Sequence, residues 1–410
     1  MIKEVSVKAK KLALYQKFIT KKHLSEIETL AKKLSKLKVV HLNSTSTGGG
    51  VAEILYSLIP LLKGVGLSAR WYTIEAPKEF FKITKQIHNF LQGKKGDLSE
   101  SQREFYLSIN QEIAKDLQNL EADVWVIHDP QVAAVVNYHP NLHPSVWRCH
   151  IDTSHPNFFV WRFLLRFFQQ YDKYIFTMRN YVGPDLDTQK ATIFTPAIDP
   201  INRKNKALNR DISQKIIGRF GLDYKKPLIS QISRFDPWKD PWGVIDAYRI
   251  VKKEFPALQL ALLGSFSSDD PEAYNIIDDL KKYAKGDPDI FILSNQDGVG
   301  YREVNAFQVA SQVIVQKSTR EGFGLTVSEA MWKEKPLIGG RAGGIVEQIV
   351  DGETGFLVTT AKEAAEKISY LLKNPKIASQ MGRKGKERVG DKFLITRLLR
   401  DHLKLYDELV

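Results

Sequence analysis

The sequence predicts an α/β protein built from two Rossmann-like, doubly wound domains facing across a cleft. Three observations point there. An apolar run that closes in a polar or glycine-rich loop, followed by a helical pattern and a second apolar run, occurs twice, about 190 residues apart. In both halves further short apolar runs alternate with helical stretches, as parallel sheets require. A polar Lys/Asn/Arg-rich segment, Asp199 to Arg210, separates the halves and reads as a linker. The 410 residues, 43% hydrophobic and 26% charged, suit two or three globular domains and exclude disordered and fibrous classes.

The elements follow in order. Residues 1–40 carry 11 Lys against 3 Glu, which is +8 of the net charge of +13. Ile27, Leu30, Leu34 and Leu37 recur there at helical spacing, so the lysines belong on the wet face of amphipathic helices. Neither Arg or aromatic readers nor a binding module accompanies them, so no nucleic-acid partner is expected. Lys38–Leu42 is the first strand, Asn43–Gly50 its loop, Val51–Leu62 a helix and Ala69–Ile74 the second strand. Val124–Ile127, Trp147–Ile151 and Tyr174–Thr177 complete the first sheet. The second half opens with Pro227–Ile232, the loop Ser233–Asp240, a helix over about 241–254 and Leu260–Leu263. Its remaining strands are Ile290–Leu293, Val313–Gln316, Leu337–Ile338 and Phe356–Val358, and helices run from Ala361 to the end. The domains are expected at 1–205 and 206–392, with a helix over 393–410 packing back on the first.

The lone Cys149, read as mid-strand packing, excludes a disulfide framework or a thiolate-bound metal and points to a reducing, cytoplasmic setting. Lysines interrupt every apolar run of the N-terminus, and no stretch reaches the ~18 apolar residues of a membrane span. The high Lys content with four Met is compatible with a thermophilic source.

Ligands of such folds bind at the carboxyl ends of the strands, so the loops there are the candidates. Glu321-Gly322-Phe323-Gly324-Leu325-Thr326-Val327-Ser328-Glu329 places a carboxylate at each end of a glycine turn that feeds a helix. Glycines admit a close ligand, and the first N–H groups of the helix favour phosphate. Glu329 can accept from ribose hydroxyls and Glu321 from sugar hydroxyls; the structural alternative is a helix whose first turn Glu329 stabilises. Arg234 and Lys239, five residues apart on one loop, can neutralise a departing pyrophosphate, unless Lys239 merely pairs with Asp240 on the surface. Gly48-Gly49-Gly50 is not GxGxxG, yet can admit a diphosphate or sugar to backbone amides. Gly339–Gly344 is a further glycine turn opening a helix. In the first half, His128-Asp129-Pro130-Gln131 and Arg148–Asp152, with His155 beyond, are polar tips suited to hydroxyl ligands or equally to buried, backbone-bonded histidines. The histidine spacing is not that of metal ligands, and Asp185/Asp187 and Asp287/Asp289 are chance-level pairs. Serine-hydrolase, Walker and kinase signatures are missing.

The loop 233–240, Glu321 with Glu329 eight positions on, and Gly339–Gly344 resemble the retaining GT-B glycosyltransferases of glycosyltransferase family 4, in order and spacing over the whole second half. The Thr45–Gly50 loop, His128–Gln131 and Trp147–Asp152 resemble the trehalose glycosyltransferring synthases and the related trehalose phosphorylases. The resemblance implies transfer of glucose from ADP-glucose or UDP-glucose to glucose with retention, giving trehalose, reversibly and without a metal or other cofactor. It implies that Arg234 and Lys239 hold the diphosphate and Glu321 the donor sugar. Glu329 would take the ribose, and Gly322, Phe323, Gly324 and Leu325 the β-phosphate or sugar. Gly48, Gly49 and Gly50 would face the donor, and Asp129, His150 and Asp152 the acceptor. It further implies front-face attack, with the leaving phosphate helping to deprotonate the incoming hydroxyl. Glu321 and Glu329 both lie on the phosphate side, which disfavours double displacement.

Two rival readings are a phosphorylase, in which phosphate replaces the nucleotide and a ribose ligand is dispensable, and a membrane-surface lipid glycosyltransferase. The latter draws on the Lys-rich first 40 residues and on Phe158–Phe168, where Arg162 and Arg166 punctuate aromatics. Burial of that run in the first domain or in a homodimer contact is expected instead, without stable membrane association.

Overall fold

A computed structural model of the chain describes residues 1–47, 49–266 and 273–410. The described residues form two compact units, Met1–Pro196 with Ile395–Val410, and residues 197–266 with 273–394.

The first unit is a seven-stranded sheet of β1 (Ile2–Glu4), β2 (Lys38–Asn43), β3 (Ser68–Ile74), β4 (Val124–His128), β5 (Ser145–Arg148), β6 (Lys173–Phe176) and β7 (Ala191–Ile193). Their order is β1-β3-β2-β4-β5-β6-β7. Only β1 is antiparallel, paired Ile2 to Ile74 on the edge. Within Val39–Leu42 and Val124–Ile127 every residue but His41 is apolar, as strands buried on both faces require. Val39–Leu42 and Val124–Ile127 are buried throughout and register Val40 on Trp125. Strand order reverses between β2 and β4, which brings the loops after them to one point on the sheet edge.

The aromatic run 158–168 is an α-helix capped by Asn157, whose side chain accepts from the amides of Phe159 and Val160. Six of its residues are buried, and Phe168 stacks on Trp147 with ring centroids 3.7 Å apart. Phe158 and Phe159 at its start are exposed, with Arg162 over the Phe158 ring. The run is therefore mostly core of the first unit. The basic N-terminus is less helical than its spacing suggests: β1 and a 3₁₀ stretch, Leu12–Phe18, precede one helix, Lys21–Lys33. Ile27 of that helix and Leu34 just beyond it are buried, as the spacing predicts. The last helix, Ile395–Leu409, packs on Lys21–Lys33 and on Gly50–Gly64. Lys33 pairs with Asp407 and Lys404 with Glu26, both 2.5 Å, while Arg397 Nη2 donates to the Thr195 carbonyl.

The second unit is an all-parallel sheet of β8 (Leu228–Ile232), β9 (Gln259–Gly264), β10 (Ile290–Ser294), β11 (Val313–Gln316), β12 (Leu337–Gly340) and β13 (Phe356–Val358), ordered β10-β9-β8-β11-β12-β13. This is the doubly wound order, reversing between β8 and β11. Of the segment Asp199 to Arg210, expected as linker, residues 203–206 are tied into this unit. Asn305 Nδ2 donates to the carbonyls of Arg203 and Lys206, and Lys333 Nζ to Asn205. Polar composition marked a loop correctly but said nothing of its tertiary partners. Cys149 is buried as expected and its amide bonds the Ile175 carbonyl of β6, but it stands one residue past the end of its strand. β5 ends at Arg148, because the next free amide, that of His150, bonds the Asp129 carboxylate instead of a neighbouring strand.

A Cβ at Gly340 would stand 2.0 Å from the Ser318 carbonyl oxygen, backbone against backbone. Gly340→Ala is expected to cost ~1–3 kcal/mol of overpacking, read as a lower thermal midpoint; an unchanged midpoint would show that this contact sets nothing.

Candidate active site

At the reversal of the second sheet the loops after β8 and β11 are joined. Lys239 Nζ lies 2.8 Å from Glu321 Oε2, although 82 residues separate them in sequence. The pair is mostly buried, 13% and 10% exposed. The Trp238 carbonyl accepts from the Thr319 amide at 2.8 Å, and Ser318 Oγ donates to Glu321 at 3.2 Å. Lys239 reaches this position because its loop is pinned from below: Gln231 at the end of β8 donates to its carbonyl, and buried Asp236 caps the turn by accepting from the Trp238 amide. Arg234 salt-bridges Asp236 at 3.5 Å and is about one-quarter exposed. The surface pair Lys239–Asp240 does not form. Asp240 adopts left-handed φ +48°, caps the next helix and pairs with Lys317.

Beyond Glu321 the chain turns through Gly322 and Phe323 to Gly324, which has φ +82° and caps the helix Leu325–Trp332. The Phe323 side chain is core, packed on Phe393, so only its backbone is available to a ligand. Gln348 clamps the turn, its amide donating to the carbonyls of Phe323, Gly324 and Gly344 while Ser328 donates to it. The glycine turn 339–344 serves this packing. A Cβ at Gly344 would fall 2.4 Å from Phe323 Cα, and the Gly344 amide bonds the Glu321 carbonyl. Glu329, one turn into the helix, is 1% exposed; Lys204 Nζ sits 2.9 Å from Oε1 and Gln308 Nε2 3.4 Å from Oε2. Lys204, Gln308 and Gln348 have no local signal in the sequence, since each is defined only by what the fold brings to it.

At the reversal of the first sheet, Gly49 and Gly50 start the helix Gly50–Gly64; Gly48 lies outside the described residues. A Cβ at Gly49 would meet nothing within 4 Å, so packing does not demand glycine there. Asp129 occupies φ +61°, ψ 177°, a region that strongly favours glycine. Three bonds hold it: its amide to the Arg148 carbonyl, its carbonyl from Trp147 Nε1, and its Oδ1 from the His150 amide at 2.7 Å. Asp129 and His150 are thus brought together, whereas Asp152 Oδ1 is engaged locally by the amide and hydroxyl of Ser154. Among the described residues no group of His, Cys, Asp or Glu is placed to hold a metal ion. Asp287 and Asp289 hold Lys252 at 3.1 and 2.8 Å.

Residues 41–183 match the family "Trehalose synthase, N-terminal domain", and 213–388 the family "Glycosyl transferases group 1". A trehalose synthase of Pyrococcus horikoshii is 49% identical over 409 residues, covering 100% of this chain and 99% of its own. The chain belongs to the trehalose synthase family. Among solved structures, the fold matches OtsA with TM-score 0.73 at 14% identity, over 92% of this chain and 100% of that one. It also matches HepE of Anabaena, in complex with UDP and glucose, with TM-score 0.68 at 15% identity, over 91% and 100%. This trehalose synthase relative is accordingly a GT-B glycosyltransferase connected with trehalose. The first family segment contains the tips at Asp129 and His150, and the second both joined loops.

Beneath those tips lies a row of rings: His41 Nδ1 is 3.0 Å from His128 Nε2, and His128 Nδ1 is 3.0 Å from His150 Nε2. Burial, then neighbouring imidazoles and, for His128 and His150, Arg148, hold all three rings well below the usual histidine range. Burial pulls His402 beside them down to about 4 and Arg148 to about 9. The folded rings stay neutral where unfolded histidines protonate, near about pH 6.5. The stability they confer is therefore present above that pH and lost as pH falls toward the folded values, by up to about 1.4 kcal/mol per pH unit for each ring. Calorimetry from about pH 8 to about pH 5 in this trehalose synthase family member is expected to show a level midpoint, then a decline below about pH 6.5; a midpoint level throughout contradicts the assignment.

Proposed function

We propose that this chain transfers glucose from ADP-glucose or UDP-glucose to free glucose, with retention at the transferred carbon, to give trehalose and a nucleoside diphosphate. The reaction runs in both directions. The observation that carries the reading is the junction at the second sheet's reversal, where a lysine, a carboxylate and a glycine-hinged helix start stand together in a member of the trehalose synthase family. HepE, of the same fold, holds UDP and glucose.

In this reading Lys239 meets the leaving diphosphate, since an ammonium has three donors and Glu321 takes one. Arg234 adds a second cation, and the amides from Gly322 to Leu325, without intrahelical acceptors at a helix start, receive phosphate or sugar oxygens. Glu321 accepts from the glucosyl hydroxyls. Glu329, with further lone pairs beyond those engaged by Lys204 and Gln308, accepts from the ribose. Asp129, His150 and Asp152 are assigned to the acceptor glucose, and the open Gly49 to close approach of the donor. The C1–phosphate bond breaks as the acceptor oxygen bonds C1 on the same face, and the hydroxyl proton passes to the departing phosphate oxygen. Charge on the leaving group is met by side chains and amides, so no metal is required.

Incubation with either nucleotide-glucose and glucose is expected to release nucleoside diphosphate and trehalose in equal amounts, undiminished by a chelator. Absence of both products removes the reading, and phosphate-dependent cleavage of trehalose without nucleotide turnover replaces it with phosphorolysis. Lys239→Ala is expected to lower kcat by ~10²–10³, the scale of one lost donor to developing charge, with folding verified by circular dichroism. Glu329→Gln keeps the shape and is expected to raise KM for the nucleotide sugar at least about tenfold, the scale of a hydrogen bond to a charged group; an unaltered KM would remove Glu329 from the ribose.

A further inference from the structure

The row of imidazoles in the first unit ends on the C-terminal helix. His41 Nε2 lies 3.1 Å from the hydroxyl of Tyr406, so four groups, Tyr406, His41, His128 and His150, form one hydrogen-bonded line that runs from the helix Ile395–Leu409 to the tip of the first sheet. Adjacent rings stack with centroids 5.3 Å apart in both steps.

A neutral imidazole carries one N–H and one bare nitrogen, and each nitrogen-to-nitrogen bond needs one of each. The three rings are consequently not independent: fixing the proton on one fixes all. Two orders satisfy the ring-to-ring bonds. In the first, Tyr406 donates to His41 Nε2, His41 Nδ1–H to His128 Nε2, and His128 Nδ1–H to His150 Nε2. His150 then carries its proton on Nδ1. In the second every bond is reversed, His41 Nε2–H donates to Tyr406, and His150 Nδ1 is bare. The phenol decides between them. Tyr406 is fully buried, and among the described residues its hydroxyl bonds to His41 alone. In the reversed order its proton would be buried without an acceptor, which native structures avoid. The surroundings also keep the rings neutral: Arg148 is 2% exposed nearby, and His402 donates Nδ1–H to the Leu398 carbonyl and sits with its ring centroid 6.3 Å from that of His41.

We propose that Tyr406 is a positioning residue which, through His41 and His128, fixes His150 as the Nδ1–H tautomer and so makes it a hydrogen-bond donor to a sugar oxygen rather than an acceptor. The proton order stands on the geometry of the row; its use toward a sugar rests on the reading of His150 given above. His150 is half-buried two residues beyond β5, and Nδ1 is the ring nitrogen outside the row.

Nitrogen-15 spectra of the full-length protein, with histidines assigned by single substitutions, test this, because protonated and bare ring nitrogens resonate apart. The wild-type protein is expected to show Nδ1–H on His41, His128 and His150, and trehalose alone at saturation is expected to shift the His150 Nδ1 signal. Tyr406→Phe, which keeps the ring and removes the donor, is expected to leave the fold intact and to bring the His150 Nδ1 and Nε2 shifts toward each other as the two orders mix. Nε2–H on His150 in the wild type, a spectrum unaltered by Tyr406→Phe, or a His150 signal indifferent to trehalose would each overturn the proposal. Should Tyr406→Phe fold poorly, the wild-type spectrum with and without trehalose decides alone. Failure of the transfer assay with both nucleotide sugars would instead overturn the reaction, and is read independently of these spectra.

Discussion

The ion pair between Lys239 and Glu321 is the contact around which the second unit's loops are organised. Both groups are largely withdrawn from water, where an unpaired charge is costly and removing either partner strands the other. Strand order sets the loop after β8 beside the loop after β11, and the pair ties the two together at the point where that order reverses. The rest of the arrangement serves that closure. Trp238 and Thr319 bond across it, Gln231 and Asp236 hold one side, and Gln348 holds the other. Glycine at 340 and 344 lets the neighbouring turn come within backbone contact. A cation set rigidly in this way needs little reorganisation when negative charge develops near it, which is the property that the proposed transfer from a diphosphate requires.

Much of this was legible because it is local. The runs that became β2, β4, β8 and β11 are short, apolar and followed by loops, and two-sided burial is what such runs mean. The cap at Gly324 and the helix after it are written in consecutive residues. What could not be read is what the fold joins across distance. The sequence puts Asp240 beside Lys239, yet the carboxylate that meets Lys239 comes from 82 residues away, while Asp240 turns to Lys317. Lys204 looked like linker and is the buried counter-charge of Glu329. Gln348 carries no motif at all. In each case residue type was informative and the partner was not, because partner choice is settled by strand order.

The first unit presents the opposite situation. Its polar centre holds neutral rings in place of an ion pair, and hydrogen-bond direction does the work that charge does in the second unit. Such a row is exacting, since every member must be satisfied for any to be. It also explains why the C-terminal helix belongs to the first unit in more than a packing sense: Tyr406 and His402 complete a polar interior that the first 196 residues leave unfinished.

Asp129 shows what the tip of that unit gives up. Its backbone sits where a side chain costs of order 1–3 kcal/mol, held by bonds to Arg148, Trp147 and His150. Glycine would relieve that conformation and would remove the carboxylate in the same change. A relaxed backbone and an acceptor for the His150 amide thus exclude one another at this position, and the chain keeps the acceptor.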